Sequence, residues 1–550
     1  MQPTHEVTNQ PPPLEGYSLY ASDAVLREGV AREGGRGFEA ELVAAGRELG
    51  SAETFALGRQ ANRFTPELRT HDRFGHRIDE VEYHSAWHAV MQRAMAHRIH
   101  NLPWCRPEPG GQVARAALLS LLAQVEAGSC CPITMTFAAW PVLRSDAALF
   151  AEWGPRLRGT AYEPRLLPAR EKQAVLLGMA MTEKQGGSDV RANTTRALAA
   201  GSVDGREAFA LTGHKWFCSA PMSDAFLMLA QQEGRGLSCF LVPRIRPDGS
   251  RNAIHLQRLK DKLGNRSNAS SEIELAGALG LLLGEPGRGV RTILEMVQHT
   301  RLDCVAGSTG LLRQAVAQAL HHAEHRAAFG RRLAEQPLMQ NVLADLALES
   351  EANTALMLRL ARAFEAPEGS AERAFARIAT AAGKYWVCKR APQAIAEAME
   401  CLGGGGYVEE SILPRLYREA PVNAIWEGSG NVICLDVLRA LVREPECAPA
   451  LLAELELARG ADRRLDTWTA RLEAELADPA DAELRARRLV ERIALALQAS
   501  LLVRGAPAFV ADAFCAARLG DADGIAGLQF GALPRGVECR KVVERAGVGE

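Results

Sequence analysis

No apolar run in this 550-residue chain approaches the roughly 20 residues a membrane-spanning helix needs. The opening stretch, MQPTHEVTNQPPPLEGY, lacks the basic-then-apolar order of a secretion signal. Net charge is nearly absent: 64 Lys and Arg stand against 66 Asp and Glu, for −2. That argues against a whole-molecule polyelectrolyte partner, though not against a local basic face. The twelve cysteines include no C-x-x-C pair, and Cys130 and Cys131 are adjacent, which suits reduced thiols better than a disulfide framework. These absences together predict a cytoplasmic protein. Strands alternating with helices are also missing, which disfavours a doubly wound nucleotide fold. What is present is the composition of a folded globular protein, 47% hydrophobic and 24% charged, in a chain too long for one ordinary core.

Along the chain, DAVLREGVAREG, FEAELVAAGRELGSAETFALGRQANRF and VARAALLSLLAQVEAG carry apolar residues at helical spacing. From about Met179 the texture changes to short apolar or alternating runs broken by Gly, Pro and Asp, a strand pattern. After GEPGRG, long helical patterns resume at Val290 and reach roughly Arg443. A last helical segment rich in Ala, Leu and Arg follows. The expected division is helical over 1–178, all-β over 179–285, helical over 286–443 and an additional helical segment over 444–550.

Three stretches carry chemistry. AMTEKQGGSDV (180–190) joins a glycine pair to the hydroxyls of Thr182 and Ser188 where helices give way to strands. CLGGGGY (401–407) keeps four consecutive glycines, costly in any ordered element unless backbone is pressed against a ligand or the loop is flexible. AIWEGSGN (424–431) sets Glu427 between Trp426 and a Gly-Ser-Gly. It is either a turn that carries an acid or a general base aimed at a ligand. HHAEH (321–325) matches the H-x-x-E-H zinc pattern and would place His321 and His325 on one helix face. So short a match arises by chance in long chains, and no metal is expected.

Taken together, these stretches resemble the acyl-CoA dehydrogenase family of flavoproteins. Ala180, Met181, Thr182, Glu183, Gly186, Gly187, Ser188 and Asp189 fill one family pattern. A second runs from Glu400 through Gly403, Gly404, Gly406, Tyr407, Glu410 and Arg415 to Glu419, and Glu427 follows eight residues later, where many members place the base. HRAAFG (325–330) looks like the family's R-x-x-F-G, which implies that Arg326 reaches the flavin of a neighbouring subunit. EVTNQPPPL, VEAGSCCPITMTFAA and RLKDKLGNRSNAS narrow the likeness to an AidB-like alkylation-response branch, over nearly the whole chain. The resemblance implies a mainly α fold with a middle β-barrel domain, a homotetramer, bound FAD, an acyl-CoA ligand and association with double-stranded DNA. Its flavin contacts would be Met181, Thr182, Gly187 and Ser188; Trp216, Phe217, Cys218 and Ser219; Arg326 and Gly404; and Ile425, Trp426, Gly428, Ser429, Gly430 and Asn431.

An α,β-dehydrogenation needs a base for the α-proton, and Glu427 suits it: glycines allow close approach, and Ile425 and Trp426 would desolvate the carboxyl and raise its pKa. Cys218 stands where the family has a threonine hydroxyl near flavin N5, and a thiol is a weak donor. The expected function is a FAD-binding, DNA-associated protein with weak or narrow acyl-CoA dehydrogenation; an ordinary metabolic acyl-CoA dehydrogenase is the alternative. Residues 441–550 carry fifteen positive against eighteen negative side chains, net −3, so composition there suits a solvated or tetramer-forming extension. Distribution favours DNA in part. Arg485, Arg488 and Arg492 share a predicted helix face with Arg487 close by, and Arg540 and Lys541 fall in a second basic cluster with Arg535 and Arg545.

Overall fold

The computed structural model describes residues 4–520 and 529–548. The chain forms two compact units: a helical one from Met1–Ala52, Glu108–Val125 and Arg301–Glu550, and a β-containing one from Glu53–Pro107 and Glu126–Thr300. Among the described residues, no helix is long and apolar enough to cross a membrane.

The strands of the β unit are β1 (Glu67–His71), β2 (Arg77–Glu82), β3 (Leu177–Ala180), β4 (Arg196–Val203), β5 (Arg206–Ser219), β6 (Ala225–Gln232), β7 (Gly236–Pro243), β8 (Ile254–Leu259) and β9 (Ser270–Leu283). β1 and β2 form a separate antiparallel hairpin. It falls where a helical texture was expected, because its short charged strands carry no apolar alternation strong enough to read. The others form a seven-stranded sheet in the order β3-β6-β4-β5-β9-β7, with β8 beside β9 and a further β6–β7 pairing. β6 is buried on both faces, which its sequence AFLMLAQQ permits.

The expected β-barrel is not a true barrel. β4 meets β6 only at Arg196–Gln231 and Ala197–Gln232, and β7 meets β9 only from Cys239–Leu283 to Leu241–Leu281. Long β5 and β9 slip register between Leu211 and Thr212 and again between Lys215 and Cys218. Such irregularities bend strands and interrupt the ladder, so the sheet curls without continuous closure. Its core is apolar, with Phe209, Phe226, Met228, Phe240 and Ile273 inside.

In the helical unit, Gly111–Val125 is buried on every side, as its near-continuous apolar sequence requires. Helix Gly289–His325, whose residues from Arg301 belong to this unit, is followed by Pro337–Ala363, Ala371–Cys401, Leu413–Asn423 and Gly430–Arg443. The described residues of 444–520 and 529–548 are not a solvated extension. Helix Ala482–Gly505 is buried continuously from Ile493 to Leu502. Arg359 bonds Glu454 at 3.0 and 2.7 Å, Arg518 bonds Asp345 at 2.6 Å and Arg545 bonds Glu351 at 2.9 Å, all buried or nearly so. A charge count by segment had hidden this, because these buried pairs join charges of the segment to partners far away in sequence.

Candidate functional site

The 180–190 loop of the β unit is organised by a residue assigned no ligand role from sequence. Glu183 is fully buried and accepts from Lys215 Nζ at 2.8 Å, Thr195 Oγ1 at 2.6 Å and Thr194 N at 2.7 Å. Burial pushes its pKa up, but the Lys215 ammonium and these donors hold it down at about 2. Around this anchor, Met181 and Thr182 are half-buried, while Gly187 and Ser188 are exposed. A Cβ at Gly187 would lie 2.4 Å from Thr182 Oγ1, so glycine there is demanded by the loop itself. The Thr182 carbonyl accepts from Trp216 N at 2.8 Å, which ties the loop to β5.

On β5, Phe217 is exposed, Trp216 and Ser219 are half-buried, and Cys218 is wholly inside the sheet core. Burial pushes the Cys218 thiol up to about 12, so it is a neutral S–H. Lys260 Nζ lies 3.2 Å from the Trp216 ring centroid, with Arg258 and Lys184 within 6 Å of the same ring. This cationic setting had no sequence pattern to announce it, since its members come from β5, β8 and two loops.

In the helical unit, Glu427 occupies the tight turn between helices Leu413–Asn423 and Gly430–Arg443. Its φ is +58°, and Gly428 follows at +112°. The turn hangs on two buried cations. Lys384 Nζ donates to the carbonyls of Trp426 at 2.8 Å and Gly428 at 2.5 Å, and Arg301 Nε donates to that of Glu427 at 3.1 Å. Arg301 is itself fixed by Asp436 at 2.6 Å. Trp426 Nε1 donates to Asn423 at 3.0 Å, leaving the indole half-buried. Ile425 is 64% exposed, so in this chain it does not shield the carboxyl as expected. Ser429 precedes helix Gly430–Arg443 without a side-chain cap, and Gly430 and Asn431 form its first turn. Lys384 and Arg301 were missed because their role at this turn is toward backbone carbonyls, which no motif records.

The remaining candidates separate. Gly404 and Gly405 are exposed with open space where a Cβ would point, whereas a Cβ at Gly406 would lie 2.2 Å from the Met399 carbonyl oxygen. Arg326 Nη1 donates to Asn9 O at 2.6 Å, and the Asn9 side chain bonds both backbone groups of Ala327. His321 Nε2 contacts the Pro12 carbonyl and His325 Nδ1 that of His321. Among the described residues, no group of three or more His, Cys, Asp or Glu could hold a metal ion. Arg485 and Arg492 both reach Glu475, at 3.6 and 2.6 Å; Arg487 and Arg488 are exposed. Arg540 pairs with Glu544 and Lys541 with Glu538, along one exposed helix face.

Residues 9–164 match the model "Adaptive response protein AidB N-terminal domain", 178–278 the middle domain of acyl-CoA dehydrogenases and 287–442 their C-terminal domain. The chain is 50% identical to the "Putative acyl-CoA dehydrogenase AidB" of Escherichia coli (strain K12) over 95% of its own length and 96% of the relative's. It is 32% identical to acyl-CoA dehydrogenase family member 11 of Caenorhabditis elegans, over 71% of this chain and 64% of that one. Among solved structures it is similar to Caenorhabditis elegans ACDH-11 in complex with C11-CoA, with a TM-score of 0.83, 27% identity and 93% of each chain covered.

Proposed function

Because the chain belongs to the acyl-CoA dehydrogenase family, through domains of that family and an AidB-type N-terminal domain, we propose that it is an FAD-dependent flavoprotein that takes the α-proton of an acyl-CoA thioester onto Glu427. The observation that carries this reading is the Glu427 turn: a carboxylate held in a left-handed backbone conformation by two buried cations, between a half-buried indole and two glycines. A non-glycine residue at positive φ is uncommon, and such residues cluster at active sites where the surroundings hold them in place.

The residues fit the cofactor. In the helical unit, Gly404 and Gly405 offer bare backbone with nothing packed on them, and helix Gly430–Arg443 begins with N–H groups that no side chain caps. In the β unit, Trp216 and Phe217 present aromatic surface, and Thr182 and Ser188 supply hydroxyls beside the tight Gly187 backbone. Cys218 contributes bulk to the sheet core rather than a strong donor, so the polar contribution of this strand falls to Ser219 and backbone amides. When bound, FAD supplies the acceptor for the β-hydride. Glu427 removes the α-proton from a turn whose backbone carbonyls Lys384 and Arg301 hold. Anaerobic mixing of the FAD-loaded protein with undecanoyl-CoA tests the reading: loss of flavin absorbance supports it, and an unchanged spectrum across a panel of acyl chain lengths would overturn it.

DNA association in an alkylation response, in a homotetramer, belongs to the same proposal, supported by the AidB-type N-terminal match and by exposed Arg487 and Arg488. Retention on duplex DNA that weakens steeply with salt is the expected behaviour, because phosphate contacts release counterions. Equal retention at low and high salt would remove this part of the reading.

A further inference from the structure

Lys384 lies in the middle of helix Ala371–Cys401 with 1% of its surface exposed. Burying an ammonium is costly unless it is paired, and lysine is rarely buried without a carboxylate. Yet the hydrogen bonds of Lys384 go to two neutral groups, the carbonyls of Trp426 and Gly428, 42 and 44 residues away. The residue between those carbonyls is Glu427. Arg301, which takes the Glu427 carbonyl, differs in this respect, since Asp436 neutralises it at 2.6 Å.

The surroundings sharpen the contrast. The ionisable groups around Lys384 include the thiols of Cys304 and Cys388, the Arg301–Asp436 pair and Glu427 itself. Cys304 is pushed well up by burial, with the Lys384 ammonium acting to lower it and the Glu427 carboxylate to raise it. Cys388 is likewise raised by burial and stays a neutral thiol. Asp436 is committed to Arg301 and Arg377. Glu427 is the acid of this group whose own backbone is framed by the two carbonyls that Lys384 holds.

We propose that Lys384 is a positioning residue for Glu427. Its two hydrogen bonds fix the 426–428 backbone and so hold Glu427 at positive φ, and its charge keeps the Glu427 carboxyl ionised and ready to accept a proton. The proposal rests on the reading of Glu427 as the base, and the two fail in different ways.

The test compares Lys384→Met, which removes charge and donors, with Lys384→Gln, which removes the charge and keeps an amide donor on a side chain one atom shorter. Both are purified with FAD, and folding is checked by circular dichroism and the flavin spectrum. The Glu427 carboxyl is then titrated by infrared difference spectroscopy on protein carrying carbon-13 glutamate, its band assigned by its loss in Glu427→Gln. Both variants should titrate at higher pH than wild type, by about one unit or more, as removal of a neighbouring cation requires. A purely structural lysine would leave that titration where it was, and an unshifted Glu427 in folded Lys384→Gln overturns the proposal. Should Lys384→Met fail to fold, Lys384→Gln alone decides. If Glu427→Gln reduces its flavin with undecanoyl-CoA as fast as wild type while the titration shift stands, the base reading falls and the Lys384 placement survives.

Discussion

Lys215 donates to Glu183 across 2.8 Å with both side chains shut off from solvent. The pair joins β5 to the 180–190 loop, so it carries the part of the β unit in which Thr182, Gly187 and Ser188 lie. Removing the lysine would strand a buried carboxylate, and Lys215→Met should cost about 3–5 kcal/mol of stability. Denaturant unfolding with and without FAD checks this; a change under about 1 kcal/mol would show that the pair is dispensable. The sign of the pH effect follows from the depressed carboxyl. Glu183 contributes stability above its ordinary pKa near 4.5 and loses it as pH falls toward about 2. Glu183→Gln should flatten the acid limb of the stability profile, and an unchanged limb would count against the assignment.

Two glycines separate internal from external demands on the backbone. At Gly187 a side chain would strike Thr182, so Gly187→Leu should lower both thermal stability and flavin occupancy. At Gly404 the chain leaves open space, so Gly404→Val should leave the FAD-free protein about as stable as wild type while weakening FAD binding. Thermal shifts with and without added FAD distinguish the two. Full FAD affinity in Gly404→Val would place the cofactor away from this loop.

Glu427→Gln keeps size and removes basicity. FAD should remain bound, and flavin reduction by undecanoyl-CoA should fall about two orders of magnitude or more, as removal of a general base commonly does. Stopped-flow absorbance under anaerobic conditions measures it. A rate within a few-fold of wild type would assign the base to another group.

For DNA, the arginine stripe has to be divided. Arg485 and Arg492 are held by Glu475, whose side chain is 8% exposed, so replacing them with alanine should destabilise the helical unit by about 1–3 kcal/mol through an unpaired acid. Arg487→Ala with Arg488→Ala should instead leave stability within about 0.5 kcal/mol, as exposed sites usually do. If they touch phosphates, the slope of log affinity against log salt should flatten by about 0.9 for each phosphate no longer neutralised. Filter binding over a salt series reads this, and an unchanged slope would place the DNA on another face of the protein. Truncation at residue 443 is a poor substitute test, because Arg359, Asp345 and Glu351 would each be deprived of a buried partner.

The sequence by itself determined what depends on near neighbours. The change of texture near Met179 matches β3 at Leu177–Ala180, and the return of helical spacing at Val290 matches a helix that starts at Gly289. Both are periodicities carried by the chain over a few residues. The order and spacing of its glycines and acids were enough to point to the family, and 527 aligned residues at 50% identity agree. Only the tertiary structure decided which charges are free. Arg485, Arg488 and Arg492 read as one face on a helical wheel, yet Glu475 on the preceding helix takes two of them. Charge alone likewise gives no sign that Lys384 ends on the carbonyls around Glu427, or that Lys215 ends on Glu183, because these pairings are chosen by burial across 32 to 44 residues. The open sheet in place of a barrel has the same origin. Strand periodicity is local, whereas closure depends on register shifts along β5 and β9 that arise only when the strands pair.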